Sequence, residues 1–169
     1  MKADDLRSLQ APLKSRYREA PAAALITLSA QGQLGGEGIT CSVQTGKALV
    51  EAGLHPATGG TGLELCSGDM LLQALVACAG VTLKAVSTAL DVPIRDGSVF
   101  AEGDLDFRGT LGVDREAPVG FTDIRVRFEL DTDEQLATLL RLTERYCVVY
   151  QTLSSSPHMS AAVAREDNA

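Results

Sequence analysis

The chain of 169 residues has no tryptophan, and aromatic residues make up only 4% of it. Its interior therefore has to be built from Ala, Val, Leu and Gly. Cysteines number four, too few for a disulfide-dense scaffold. No two of them stand as C-x-x-C, which removes the usual zinc and thioredoxin spacings. The two histidines, His55 and His158, are isolated, so no metal and no cofactor are expected. Basic residues are outnumbered: 15 Lys and Arg against 22 Asp and Glu leave a net charge of −7. Nucleic acid and anionic membrane both call for a basic stripe, and neither is an expected partner. The longest nearly apolar run, Met70 to Leu83, is interrupted by Gln73 and Thr82 and falls short of the roughly 18 residues of a membrane span. No basic segment followed by an apolar one opens the chain. The expectation is a soluble, cytoplasmic protein. The one glycine-rich stretch, residues 53–62, lacks both the P-loop lysine and the G-x-G-x-x-G spacing and reads as a connection or lid.

What is present is an ordinary globular composition, 45% hydrophobic and 22% charged, in a length that suits one domain. Residues 1–21 read as a helical extension, with Leu6, Leu9, Leu13 and Tyr17 at helical spacing, an interruption at Pro12 and an end at Pro21. The domain proper would cover residues 22–169. Residues 22–30 and 37–44 look like strands around a turn at 31–36, with Cys41 on an inward face, and residues 47–50 like a third short strand. Ser67 can cap a helix whose first turn holds Asp69. That helix is apolar on all sides from Met70 to Leu83 and would run to about Leu90, before Pro93. Residues 98–111 and 121–130 alternate apolar and charged, the pattern of a long antiparallel pair packed on one face. Thr132-x-x-Gln135 is a capping-box signature. The helix after it puts Leu136, Leu139, Leu140, Thr143 and Cys147 on one stripe. Residues 156–165 read as a closing strand. The sum is α+β, helices layered on antiparallel sheet. A helix apolar all round needs cover all round, and a second subunit would supply it.

Cys78 and Cys147 stand in two different apolar, helix-like segments. Two thiols on two such helices either pack as small hydrophobes or meet as an attacking and a resolving pair. The run Ser67–Leu83, SGDMLLQALVACAGVTL, resembles the first cysteine helix of the OsmC/Ohr family, where an acid opens an Ala-rich helix leading to the cysteine. ERYCVVYQTL, ending at Leu153, resembles the family's second cysteine motif. The resemblance implies an intertwined homodimer in which two central antiparallel helices are flanked by antiparallel sheets. It also implies a thiol peroxidase that reduces organic hydroperoxides and is itself re-reduced by an external dithiol. Carried over, Cys78 is the attacking thiol, Cys147 the resolving one, and the family's arginine falls on Arg18, with Arg16 as alternative. Its glutamate, ten residues before the first cysteine, is Gly68 here; Asp69 and Glu64 are the nearby carboxylates. That loss favours an alternative, a non-catalytic dimer that binds a small apolar ligand or serves a structural role in stress.

Only a thiolate attacks peroxide. Cys78 would lie roughly 16 Å inside its helix, beyond the reach of the helix dipole. Apolar burial raises a thiol's pKa, so a cation is expected beside it. His55 is a loop histidine or a site residue, and Cys66 a structural or competing thiol.

Overall fold

The helix-forming signal at the N-terminus carries the chain straight through a proline. In the computed structural model, which describes residues 2–27, 30–34, 40–45, 48–132 and 136–163, α1 runs unbroken over Ala3–Glu19 with Pro12 inside it. The expected interruption does not occur. Pro12 removes one N–H, the usual donor to the carbonyl of Ser8, and both residues are exposed, so water can take that bond. The Lys2 amide donates to the Asp5 carboxylate at 3.2 Å, tying down the first turn.

Residues 21–24 correct a second expectation. They form a 3₁₀ turn, Pro21–Ala24, and no strand is assigned between residues 22 and 27. Pro21 fixes φ for a turn at the position where a strand would have to begin. A four-stranded sheet follows: β1 (Gly32–Leu34), β2 (Thr40–Thr45), β3 (Ala48–Gly53) and β4 (Leu65–Cys66), in that order. Gly32–Leu34, expected in the turn, is strand, and the third strand reaches Gly53 rather than Val50. The first three strands are antiparallel, whereas β4 joins β3 in parallel through Ala52–Leu65 and Gly53–Cys66. The side chain of Cys41 lies outside the described residues.

β4 runs directly into α2 (Ser67–Ala89). Cys66 occupies the capping position, so Ser67 is the first helical residue and makes no cap. The helix has 23 residues, and an 18-residue stretch of it reaches a mean hydropathy of 1.7, the length and composition of a bilayer span. One stripe of it, Leu75, Ala79, Leu83 and Val86, is nevertheless buried inside the fold. Its C-terminus is built by Asp91, which takes a left-handed conformation with φ of 57°. This lets the amide of Val92 donate to the carbonyl of Ser87 at 2.9 Å and that of Asp91 to Thr88 at 3.2 Å. The chain reverses and drops Val92 onto Val86 in the core, the hydrophobic contact that accompanies such a cap.

β5 (Asp96–Leu105) and β6 (Phe121–Asp131) form the expected long hairpin. Burial alternates along both, with Val99, Ala101, Ile124, Val126, Phe128 and Leu130 turned inward. The alternation ends sooner than expected. Asp106 accepts from the amide of Arg108 at 3.0 Å and starts a helical turn, α3 (Phe107–Thr110), which turns Phe107 out of the sheet. At Gly103 an added Cβ would lie 2.5 Å from the ring of Phe121, so this position has to be glycine for the two strands to close.

The last elements are α4 (Leu136–Tyr146) and α5 (Val148–Ser154). Gln135 of the expected capping box lies outside the described residues. α4 is amphipathic, and Leu139 and Thr143 are buried against α2. The core proper joins Leu83, Val86, Val92 and Leu139, flanked by Ile94, Phe128, Leu130 and Leu142. Residues 156–163, expected as a closing strand, take no regular structure.

Candidate active site

α2 contributes Cys78 from its fourth turn, half-buried. α4 does not carry Cys147 as a helical residue, as its stripe suggested. The helix ends at Tyr146, Cys147 takes extended backbone (φ −74°, ψ 110°), and α5 begins at Val148. The amide of Cys147 still donates to Thr143 at 2.9 Å, so its side chain continues the inner stripe and is completely buried. No glycine or proline marks this break. The β-branched pair Val148–Val149, with its restricted χ1, is the only local hint.

The break does chemical work. The first amides of a helix have no partner within it, and at α5 these are Val148, Val149 and Tyr150. Burial pushes the Cys78 thiol up. Against it act the amide of Val149, the thiol of Cys147, the amide of Val148 and the hydroxyl of Thr82, and the balance falls below the ordinary value. Burial also pushes Cys147 up, and the neighbouring Cys78 sulfur and its charge add to this. The amides of Tyr150 and Val149 pull the other way without overcoming it. Each thiol acts on the ionisation of the other, and both are free. Of the two thiols Cys78 is therefore the one that gives up its proton more readily, and Cys147 the one that holds it. Thr82 was legible in sequence, since it lies one helical turn after Cys78. The α5 amides were not.

The other expected residues lie elsewhere in the chain. Arg16 and Arg18 are exposed in the last turn of α1, and no arginine is among the groups that act most on Cys78. Asp69 is exposed in the first turn of α2, about 14 Å along the helix from Cys78. Cys66 is separated from Cys78 by roughly 18 Å of helix and cannot compete as its partner within one chain. Glu64 accepts from the hydroxyl of Thr61 at 2.5 Å, ahead of the helix. A Cβ at Gly68 would meet Phe121, Cys66 and Leu105, facing the hairpin and the cap of α2. His55 caps the short turn Pro56–Thr58 through Nδ1, which accepts from Ala57 at 3.0 Å, and stacks on Phe107 with ring centroids 4.9 Å apart. Among the described residues no cluster of His, Cys, Asp and Glu could hold a metal ion.

Two cavities border these elements. One, of about 310 Å³, lies between α5 and β6 and is lined by Leu75, Ile124, Val126, Tyr150 and Leu153 among others; Leu75 is one turn before Cys78. The other, of about 330 Å³, sits at the N-terminal end of α2 among His55, Cys66, Leu71, Phe107 and Phe121.

Residues 60–161, more than half of the chain, match the family model described as OsmC-like protein. Among solved structures, an OsmC-like protein from Mycoplasma pneumoniae aligns with a TM-score of 0.63 at 14% identity, covering 78% of this chain and 89% of that one. An organic hydroperoxide resistance protein OsmC from Legionella pneumophila aligns with a TM-score of 0.61 at 16% identity, covering 78% and 92%. One from Elizabethkingia anophelis gives 0.63 at 13% identity, covering 79% and 91%. At these identities the likeness is one of fold. Compared with curated protein sequences, the chain matches none.

Proposed function

The chain belongs to the OsmC-like protein family, and on that premise we propose that it is a thiol-dependent peroxidase for organic hydroperoxides. The observation that carries this reading is the thiol pair. Two cysteines 69 positions apart are brought close enough to act on each other's ionisation, with the Cys78 thiol pulled down and the Cys147 thiol pushed up. In the proposed reaction the Cys78 thiolate attacks the terminal peroxide oxygen. The S–O bond forms, the O–O bond breaks, and the alkoxide leaves and takes a proton to become the alcohol. Cys147 then attacks the Cys78 sulfur. The S–S bond forms, the S–O bond breaks, and hydroxide leaves as water by taking up the proton that the Cys147 thiol gives up. An external dithiol reduces the disulfide by exchange. The cavity beside Leu75 and Tyr150 offers room for the organic part of the peroxide.

The same reading makes the protein a soluble, cytoplasmic homodimer. Along α2 the residues Leu71, Ala74, Ala77, Val81 and Ala85 are all exposed in a single chain, Val81 to 73%. A second copy laid against this stripe would cover it, and could bring its Arg18 or Asp69 to Cys78. The test is direct: one equivalent of an alkyl hydroperoxide is added to reduced protein, and the cysteines are mapped by mass spectrometry. A Cys78–Cys147 disulfide within one chain is expected; Cys78 left unmodified overturns the reading. The cavity around His55 and Cys66, far from the thiols, favours a second reading, a binder of small apolar molecules, which gains ground if Cys78 proves inert.

A further inference from the structure

Thr143 is 2% exposed, and its hydroxyl, buried, has no hydrogen-bond partner. A buried hydroxyl left unpaired is destabilising, and such groups in a native fold call for an explanation. The other hydroxyl in this condition among the described residues, that of Thr132, adjoins residues 133–135, which lie outside the description. Thr143 is different in placement. It stands one turn before Cys147 on the inner stripe of α4, and its carbonyl accepts from the amide of Cys147 at 2.9 Å. It therefore faces the same interior as Cys147, beside the buried Leu75, Ala79 and Leu139, none of which offers a polar atom in its side chain, whereas the donors that already act on Cys78 are Thr82 and the first amides of α5.

In the reduced state this hydroxyl has nothing to bond. The reaction proposed above adds one polar atom to the site, the oxygen that Cys78 acquires from the peroxide. We propose that Thr143 is a positioning residue whose hydroxyl donates to the sulfenic oxygen on Cys78 and holds it while Cys147 attacks the sulfur. When the S–O bond breaks and the S–S bond forms, the oxygen departs as hydroxide and is protonated to water. A donor on that oxygen assists its departure. This inference rests on the peroxidase reading and assigns to Thr143 the second step alone.

The two steps separate in one experiment. Reduced wild type, Thr143→Val and Thr143→Ser receive one equivalent of alkyl hydroperoxide. Samples are quenched over time with dimedone, which traps sulfenic acid, and Cys78 is followed by mass spectrometry. Thr143→Val, nearly the same shape without the hydroxyl, should lose reduced Cys78 as fast as wild type. It should form the disulfide about tenfold more slowly, the size of effect of one hydrogen bond, and accumulate the dimedone adduct. Thr143→Ser should restore the fast second step. Because an unpaired hydroxyl has been removed, Thr143→Val should melt at or above the wild-type temperature. Disulfide formation equally fast in all three proteins overturns the proposal. So does equal impairment of the Val and Ser variants, which would mark a packing role, or a clear fall in the melting temperature of Thr143→Val, which would mean the hydroxyl was already bonded. Wild-type protein whose Cys78 stays reduced overturns the peroxidase reading first, and the role of Thr143 with it.

Discussion

Cys78 and Cys147 are the same side chain, yet their surroundings push the two thiols in opposite directions. Burial raises both, and only Cys78 collects enough donors to reverse it. Alkylation followed against pH should therefore show Cys78 reacting at lower pH than Cys147. Thr82→Val removes one donor from the thiolate and should slow Cys78 alkylation at pH 7 by about tenfold, the order of one hydrogen bond to a charged group. Cys147→Ala should also slow it, by removing the neighbouring thiol. Coincident curves for all three proteins would show that these donors do not set the reactivity. Both cysteines were singled out in sequence, through helical spacing, and a family resemblance suggested their pairing. The means of activation was not. A cation was expected because the dipole of α2 cannot reach its own fourth turn, but the amides of Val148 and Val149 come from a helix start that no sequence signal announces.

At the scale of elements, the hairpin and α2 were readable because each has a strict period. Alternation over β5 and β6 fixes which face is buried, and the nearly apolar run, with Pro93 beyond it, places α2 almost to its last residue. The misread elements are those governed by single positions: Pro21 turning residues 21–24, Asp106 starting α3, and the extended backbone at Cys147. β4, two residues in parallel pairing, is too short to carry any period. Two predictions belong here. Asp91 pays the steric cost of a left-handed conformation in the cap of α2, so Asp91→Gly should raise stability by about 1 kcal/mol, read from denaturant unfolding. On the outer face of the hairpin, Arg125 bonds Asp104 in two places at 2.5 and 2.9 Å, and Arg95 pairs with Asp131 at the other end. Those bonds lower both carboxylates. A lowered carboxylate stabilises the fold above its unfolded pKa, about 3.9, and loses that contribution as pH falls through the lower folded value. The urea midpoint should thus hold steady at neutral pH and decline below about pH 4. Arg125→Ala should flatten that decline modestly, since all these groups are exposed.

For the whole molecule, the α+β architecture followed from the order of apolar patterns, and the expectation of a second copy from a helix with no polar side. In a single chain the stripe from Leu71 to Ala85 is exposed. Light scattering at low micromolar concentration should report a dimer, and Val81→Glu should shift it towards monomer; a folded monomer of the unaltered chain would sink this expectation.

The placing of the two cysteines has a further consequence. Between them in sequence lie the end of α2, the whole β5–β6 hairpin and α4. A bond between Cys78 and Cys147 would close a loop of about 70 residues, and such a closure restrains the unfolded chain by about 4 kcal/mol. The oxidised protein should then outlast the reduced one on heating. Each oxidation would raise the stability of the fold and each reduction lower it, so that its resistance to heat reports the redox state of its surroundings.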